Sequence, residues 1–143
     1  MKTTRTILIL LLLIVLLLLP ALHKIATEMP ADWFINKFEK SWIGIFPFGV
    51  SLAFYSIVFL EIVGPLFMSI ALVKILLQKK AEFYIRTGFL IYYCLFLILT
   101  FGSFMVQDYD NGFKDFMYFV GLLVIEQQLF PNKQRKESLN PSR

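Results

Sequence analysis

The chain has 143 residues, a formal net charge of +4, 58% hydrophobic residues and a mean hydropathy of +0.71. A single soluble core of this length cannot hide so much apolar surface, so the excess must face lipid. The lone cysteine, Cys94, excludes an internal disulfide or a cysteine cluster, and a single histidine, His23, lacks the companions a metal centre needs.

A hydrocarbon core about 30 Å thick takes about 20 apolar residues per helix, and four windows of that kind occur. The first, at about residues 6–26, opens with ILILLLLIVLLLLP. A secretory signal is the rival reading, but LHKIATEM lacks a small-x-small cleavage pattern, so this segment is expected to remain as a span. The connection that follows, about 27–46, holds ADWFINKFEKSWIGIF. Its apolar residues recur every three or four positions from Trp33 to Phe46, which predicts a short interfacial helix, read as a bilayer anchor with a lid as the alternative.

The second window, about 47–73, carries Glu61 near its centre. A carboxylate at that depth costs about 2.5–3.5 kcal/mol on insertion scales, so it must turn inward and take a donor. Pro65 cannot donate to the Glu61 carbonyl, and Gly64 permits another helix to approach closely. The face through Gly49, Ala53, Ser56, Leu60 and Gly64 is expected to touch a neighbour. A short basic connection, 74–83, makes the second and third spans antiparallel neighbours. The third window, about 84–105, brings Tyr92 and Tyr93 to similar depth, and a phenol there also needs a partner. A hydrogen bond from one of the two tyrosines to Glu61 is the expected arrangement.

The sequence VQDYDNG predicts a tight turn at Asp110-Asn111-Gly112 before the fourth window, about 112–130. Asp115 then opens the last helix, where a carboxylate complements the dipole, while Glu126 and Gln127 lie near its far end. Residues 131–143 form a polar tail. Ten of the fourteen basic residues lie before the first span, around the second connection or in the tail. By the positive-inside rule both termini are cytoplasmic, and an even number of spans agrees with that. The fold class expected is therefore all-α: a polytopic membrane four-helix bundle, N-in and C-in, with a short interfacial helix in the first external connection. Basic ends of this kind are read as topology, and no nucleic-acid partner is expected.

The segment ALHKIA, the segment FLEIVGPLFMSIAL and the acidic start at Asp115 together resemble the DoxX-like family of small four-helix integral membrane proteins. The likeness covers about residues 7–130, with Leu22-His23 standing where the family has glycine. The resemblance implies that Lys24, Glu61 and Asp115 are the functional positions. It also implies an accessory subunit of a membrane redox system in the bacterial inner membrane, quinone-linked in some members. Three functional classes follow. The first is a binding or accessory subunit in which Glu61 and Tyr92 or Tyr93 hold a quinone-like or lipid-like head, or dock a larger membrane complex. The second is an enzyme using Glu61 for acid–base chemistry on a lipophilic substrate, and the third is a purely structural membrane subunit. No intrinsic cofactor or metal is expected.

Overall fold

The computed structural model describes residues 2–27 and 29–130. Among these residues the chain is all helical, with five α-helices and a short 3-10 turn. They are α1 (Lys2–Ala26), α2 (Asp32–Phe38), the 3-10 turn Trp42–Ile45, α3 (Gly49–Leu76), α4 (Glu82–Met105) and α5 (Tyr109–Leu129). The expected tail, 131–143, lies outside the described residues.

Three helices, α1, α3 and α4, are long and apolar enough to cross a membrane. Continuous apolar runs explain them: leucine-rich segments have good helix propensity, and a helix closes its own backbone hydrogen bonds. The fourth expected span corresponds to α5, which has the length but carries Asp110, Lys114, Asp115 and Glu126. It does not meet the same standard of length and composition.

The long helices pack in chain order, α1 on α3, α3 on α4 and α4 on α5. Helices α3, α4 and α5 run antiparallel in succession, as side-chain pairs along their two seams show. Gly64 meets Tyr92 while Gly88 meets Met68 between α3 and α4, and Phe96 stacks on Tyr118 between α4 and α5. Two of these seams depend on missing side chains: a Cβ on Gly88 would stand 2.8 Å from Met68 Cε, and one on Gly112 would stand 2.7 Å from the Phe104 ring.

The buried stripe of α3 runs through Val50, Phe54, Ile57, Val58, Glu61, Gly64, Pro65, Met68 and Ala71. These recur every three or four residues and include the acid itself. The small-residue face expected at an interface is only partly there: Gly64 is buried, but Ser56 is exposed, its hydroxyl donating to its own helix at Leu52 O (2.8 Å). Branched aliphatic side chains fill much of the buried stripe, with Phe54 meeting Phe34 and the Tyr92 ring seated on Gly64. Pro65 does not break α3, which continues for eleven residues beyond it to Leu76.

Helix α2 and the 3-10 turn replace the single interfacial helix expected from Trp33 to Phe46. The break falls at 39–41, where Ser41 Oγ donates to Phe38 O (2.6 Å) and closes the α-helix locally. Phe34 and Phe38 turn inward, Phe34 packing on Phe54 of α3 and Phe38 on Phe34, while Trp33 and Trp42 stay exposed. This segment roofs one end of the long helices. At the opposite end Arg5 donates to Gln128, and the Arg86 guanidinium lies 4.5 Å from the Phe130 ring.

Candidate functional site

Glu61 is 3% exposed, and the group that meets it is Lys24 of α1, with Nζ 2.5 Å from Oε1. A carboxylate so deeply buried is tolerable only with a donor or counter-charge beside it. Lys24 sits two residues from the end of α1, and its long chain lets the ammonium reach the acid while its own Cα stays near the rim. The other carboxylate oxygen, Oε2, is buried without a hydrogen-bond partner. Lys24 itself remains partly open, its side chain 19% exposed. Together with Pro20, His23, Asp32 and Trp33 it lines a shallow cleft of about 450 Å³. An ammonium has three donors, and Glu61 takes one of them.

The tyrosine partners expected for Glu61 lie elsewhere. Tyr92, fully buried, crosses above Gly64 and donates to Leu13 O of α1 at 2.9 Å. Its ring fills the space left by the glycine, and that position carries its hydroxyl to the α1 backbone. Tyr93 turns to the other side of α4 and donates to Glu126 Oε2 at 2.6 Å. Both phenols are satisfied, but each joins a different helix pair.

Asp115 is not a cap. Helix α5 starts six residues earlier, at Tyr109, because Asp108 is the N-cap and accepts from Asn111 N (3.3 Å). The Asp110-Asn111-Gly112 sequence, expected as a turn, is therefore helical, with buried Gly112 against Phe104. Asp115 stands in the second turn, within electrostatic range of Lys24, Lys37 and Asp108. Of the three positions singled out by the family resemblance, Lys24 is the link: it binds Glu61, midway along α3, and its field reaches Asp115.

A second cleft, of about 320 Å³, lies under the roof between α2, α3, α4 and α5. Trp33, Phe38 and Trp42 line it together with Lys37, Ser103 and Asp115. Trp33 lines both clefts and forms the partition between them. Lys37 is ion-paired with Asp108, and the Trp42 indole N–H donates to Met105 Sδ (3.1 Å), which ties the roof to the ends of α4 and α5. Hydrogen bonds from Lys37 and Asn111 hold the Asp108 carboxyl below the usual carboxylate range, at about 2.

Sequence reasoning missed Lys37, Asp108 and the tryptophan partition. A signal for the first pair was present in Asp108-x-x-Asn111, an N-cap spacing that the neighbouring Asn-Gly pair obscures. No known family model matches the chain, and neither the curated proteins nor the solved structures yield a match.

Proposed function

We propose that this chain is a multi-pass membrane protein whose Lys24–Glu61 pair receives the polar head of a quinone-like or lipid-like molecule. In this reading it serves as a binding or accessory subunit of a membrane redox or envelope system. The observation that carries the proposal is the state of Lys24: Glu61 anchors it at 2.5 Å, yet it still lines an open cleft with donors to spare. A fixed ammonium at the rim of an apolar bundle suits a carbonyl or phosphate oxygen carried on a lipophilic body.

The wider reading is a bundle of four spans, α1, α3, α4 and α5, with both termini cytoplasmic, in the inner membrane of a bacterium. What supports it is the distribution of charge. Arg5, Lys79, Lys80 and Arg86 gather where α1 and α4 begin and α3 ends, whereas Asp32, Glu39, Asp108 and Asp110 gather at the roofed end. The packing of α5 on α4 and the placement of its charged residues toward its two ends support reading it as a fourth span. A DoxX-like assignment is part of the proposal; its support is the Lys24–Glu61 contact and the electrostatic reach of Lys24 to Asp115.

An acid–base enzyme is the second reading, and one observation favours it: Glu61 has a second titratable group, Lys24, in contact. Glu61 lines neither cleft, however, so a substrate would meet Lys24 first. The test is purification in mild detergent followed by extraction and mass-spectrometric identification of bound quinones and lipids. A stoichiometric quinone or lipid in the wild type, lost both in Lys24→Met that still unfolds cooperatively, at a lower midpoint, and in Lys24→Met with Glu61→Leu, where apolar replacement of the pair restores stability, supports the proposal. Equal recovery from wild type and Lys24→Met overturns it.

A further inference from the structure

We propose that the cleft under α2 is a separate site for the head group of a zwitterionic phospholipid, with its ammonium on Asp115 and its phosphate on Lys37. The inference shares with the proposed function only its membrane placement; it uses neither Lys24 nor Glu61 as a ligand.

Two lysines within electrostatic range of Asp115 are each in contact with another carboxylate, while Asp115 has no cation in contact among the described residues. Lys24 is held by Glu61, and Lys37 by Asp108. Asp115 lines the cleft but makes no hydrogen bond and no ion pair within 4 Å among the described residues. Lys114, its neighbour in the chain, is exposed and lines no part of the cleft. A half-buried, unpaired carboxylate facing an apolar cleft is therefore the group most in need of a cation.

The surroundings specify what kind of cation. Trp33, Phe38 and Trp42 line the same cleft, and aromatic faces stabilise ammonium groups that have lost water. Lys37 lines it too, and its pairing with Asp108 occupies only part of its donor capacity. One anion and one cation on the walls match a molecule carrying both charges a few bonds apart. A free metal cation or an anionic lipid satisfies one wall and opposes the other. A phosphoethanolamine head satisfies both, and the indole pair marks the interfacial depth at which such heads reside. The volume, about 320 Å³, suits a head group and leaves the acyl chains to run down the exposed apolar sides of Ile98 and Phe101.

Trp33 and Trp42 are the chain's two tryptophans and both line this cleft; Trp33 also borders the Lys24 cleft, so the quenching of Trp42 alone, read in a Trp33→Phe background beside the wild type, assigns the signal to this cleft. The experiment titrates the full-length protein in detergent micelles with brominated-chain phosphatidylethanolamine, with phosphatidylglycerol of identical chains, and with a brominated alkylamine. Quenching of the wild type is expected to favour phosphatidylethanolamine over phosphatidylglycerol by about tenfold, a contrast one desolvated cation contact can supply. Asp115→Asn should bring that ratio to about one, and Lys37→Met should weaken both phospholipids alike. The alkylamine, lacking phosphate, should bind more weakly than phosphatidylethanolamine. A wild-type ratio near one overturns the proposal without need of any variant, as does a preference that survives Asp115→Asn. Equal binding of the alkylamine overturns the role of Lys37. Loss of co-purified quinone or lipid in Lys24→Met is a different readout, so the two proposals fail separately.

Discussion

Lys24 and Glu61 join α1 to α3 by an ion pair in which the acid is sealed and the base is partly open. The two substitutions are therefore unequal. Lys24→Met leaves a buried carboxylate without its cation and should destabilise by about 3–5 kcal/mol. Glu61→Gln keeps an oxygen acceptor and frees Lys24 to move toward water, so its cost should be smaller, about 1–3 kcal/mol. The double change Lys24→Met with Glu61→Leu should recover much of the loss, since apolar replacements of a buried pair are often neutral. Chemical denaturation in mixed micelles measures all three; strictly additive losses would show that the pair is not coupled.

Tyr92 and Gly64 form the second test. A Cβ on Gly64 would collide with the Tyr92 ring, which is fully buried and held at Leu13 O, so it has nowhere to retreat. Gly64→Ala should cost about 1–3 kcal/mol by overpacking. Tyr92→Phe removes only the hydroxyl, and Leu13 O has a second acceptor site, so about 0.5–1.5 kcal/mol is expected. Combining Gly64→Ala with Tyr92→Leu should cost less than the sum of the two singles. Melting curves that add without coupling would mean the ring does not occupy this space.

The same two contacts show what was legible in the sequence. Glu61 points inward because solvation alone requires it, and the α3 and α4 boundaries follow from uninterrupted apolar runs. Its partner was not legible. Whether a tyrosine or a lysine reaches the acid depends on the relative heights of α1, α3 and α4, and those heights are set by ring packing such as Tyr92 over Gly64. A lysine near the end of α1 reads as a rim residue until the register is known. The start of α5 was misplaced for a local reason, because Asn111-Gly112 is as good a turn as Asp108 is a cap.

Helices α3 and α4 both end on residues in the left-handed region, Gln78 (φ 54°) and Gln107 (φ 60°). Each ending has paired closing bonds: Gln78 N to Ile75 O with Lys79 N to Lys74 O, and Gln107 N to Phe104 O with Asp108 N to Ser103 O. Glycine is preferred at such positions because it has no Cβ to crowd the carbonyl. Gln78→Gly and Gln107→Gly should each stabilise by about 1 kcal/mol, offset in part by greater freedom of the unfolded chain. A fall in melting temperature in both would contradict the assigned backbone.

Asp108 gives a pH dependence of definite sign. Its carboxyl is lowered from an ordinary value near 3.8 to about 2 by Lys37 and Asn111. A depressed acid stabilises the fold when ionised, so the contribution is complete above about pH 4 and is lost as pH falls toward 2. Thermal melts of the wild type should decline through that window more steeply than those of Asp108→Asn. High salt should flatten the difference, because this pair is accessible to ions. Parallel acid limbs in the two proteins would remove Asp108 from the account.

The orientation of α5 decides whether the proposed bundle has three spans or four. Gln128 meets Arg5 at the end opposite the roof, while Asp108 meets Lys37 at the roof itself. With α5 crossing the bilayer, these two contacts lie on opposite sides of the membrane. Single cysteines at Gln107 and at Gln128, in a Cys94→Ser background, make the distinction with a membrane-impermeant maleimide. Gln107→Cys should label on intact spheroplasts, and Gln128→Cys should label only after permeabilisation, as should Gln78→Cys at the α3–α4 turn. The packing of α5 along α4, from Phe104 against Gly112 to Arg86 over Phe130, favours that result, because a helix lying on the surface could keep contact at only one end. Labelling of Gln128→Cys on intact spheroplasts would place both ends of α5 outside and reduce the bundle to three spans.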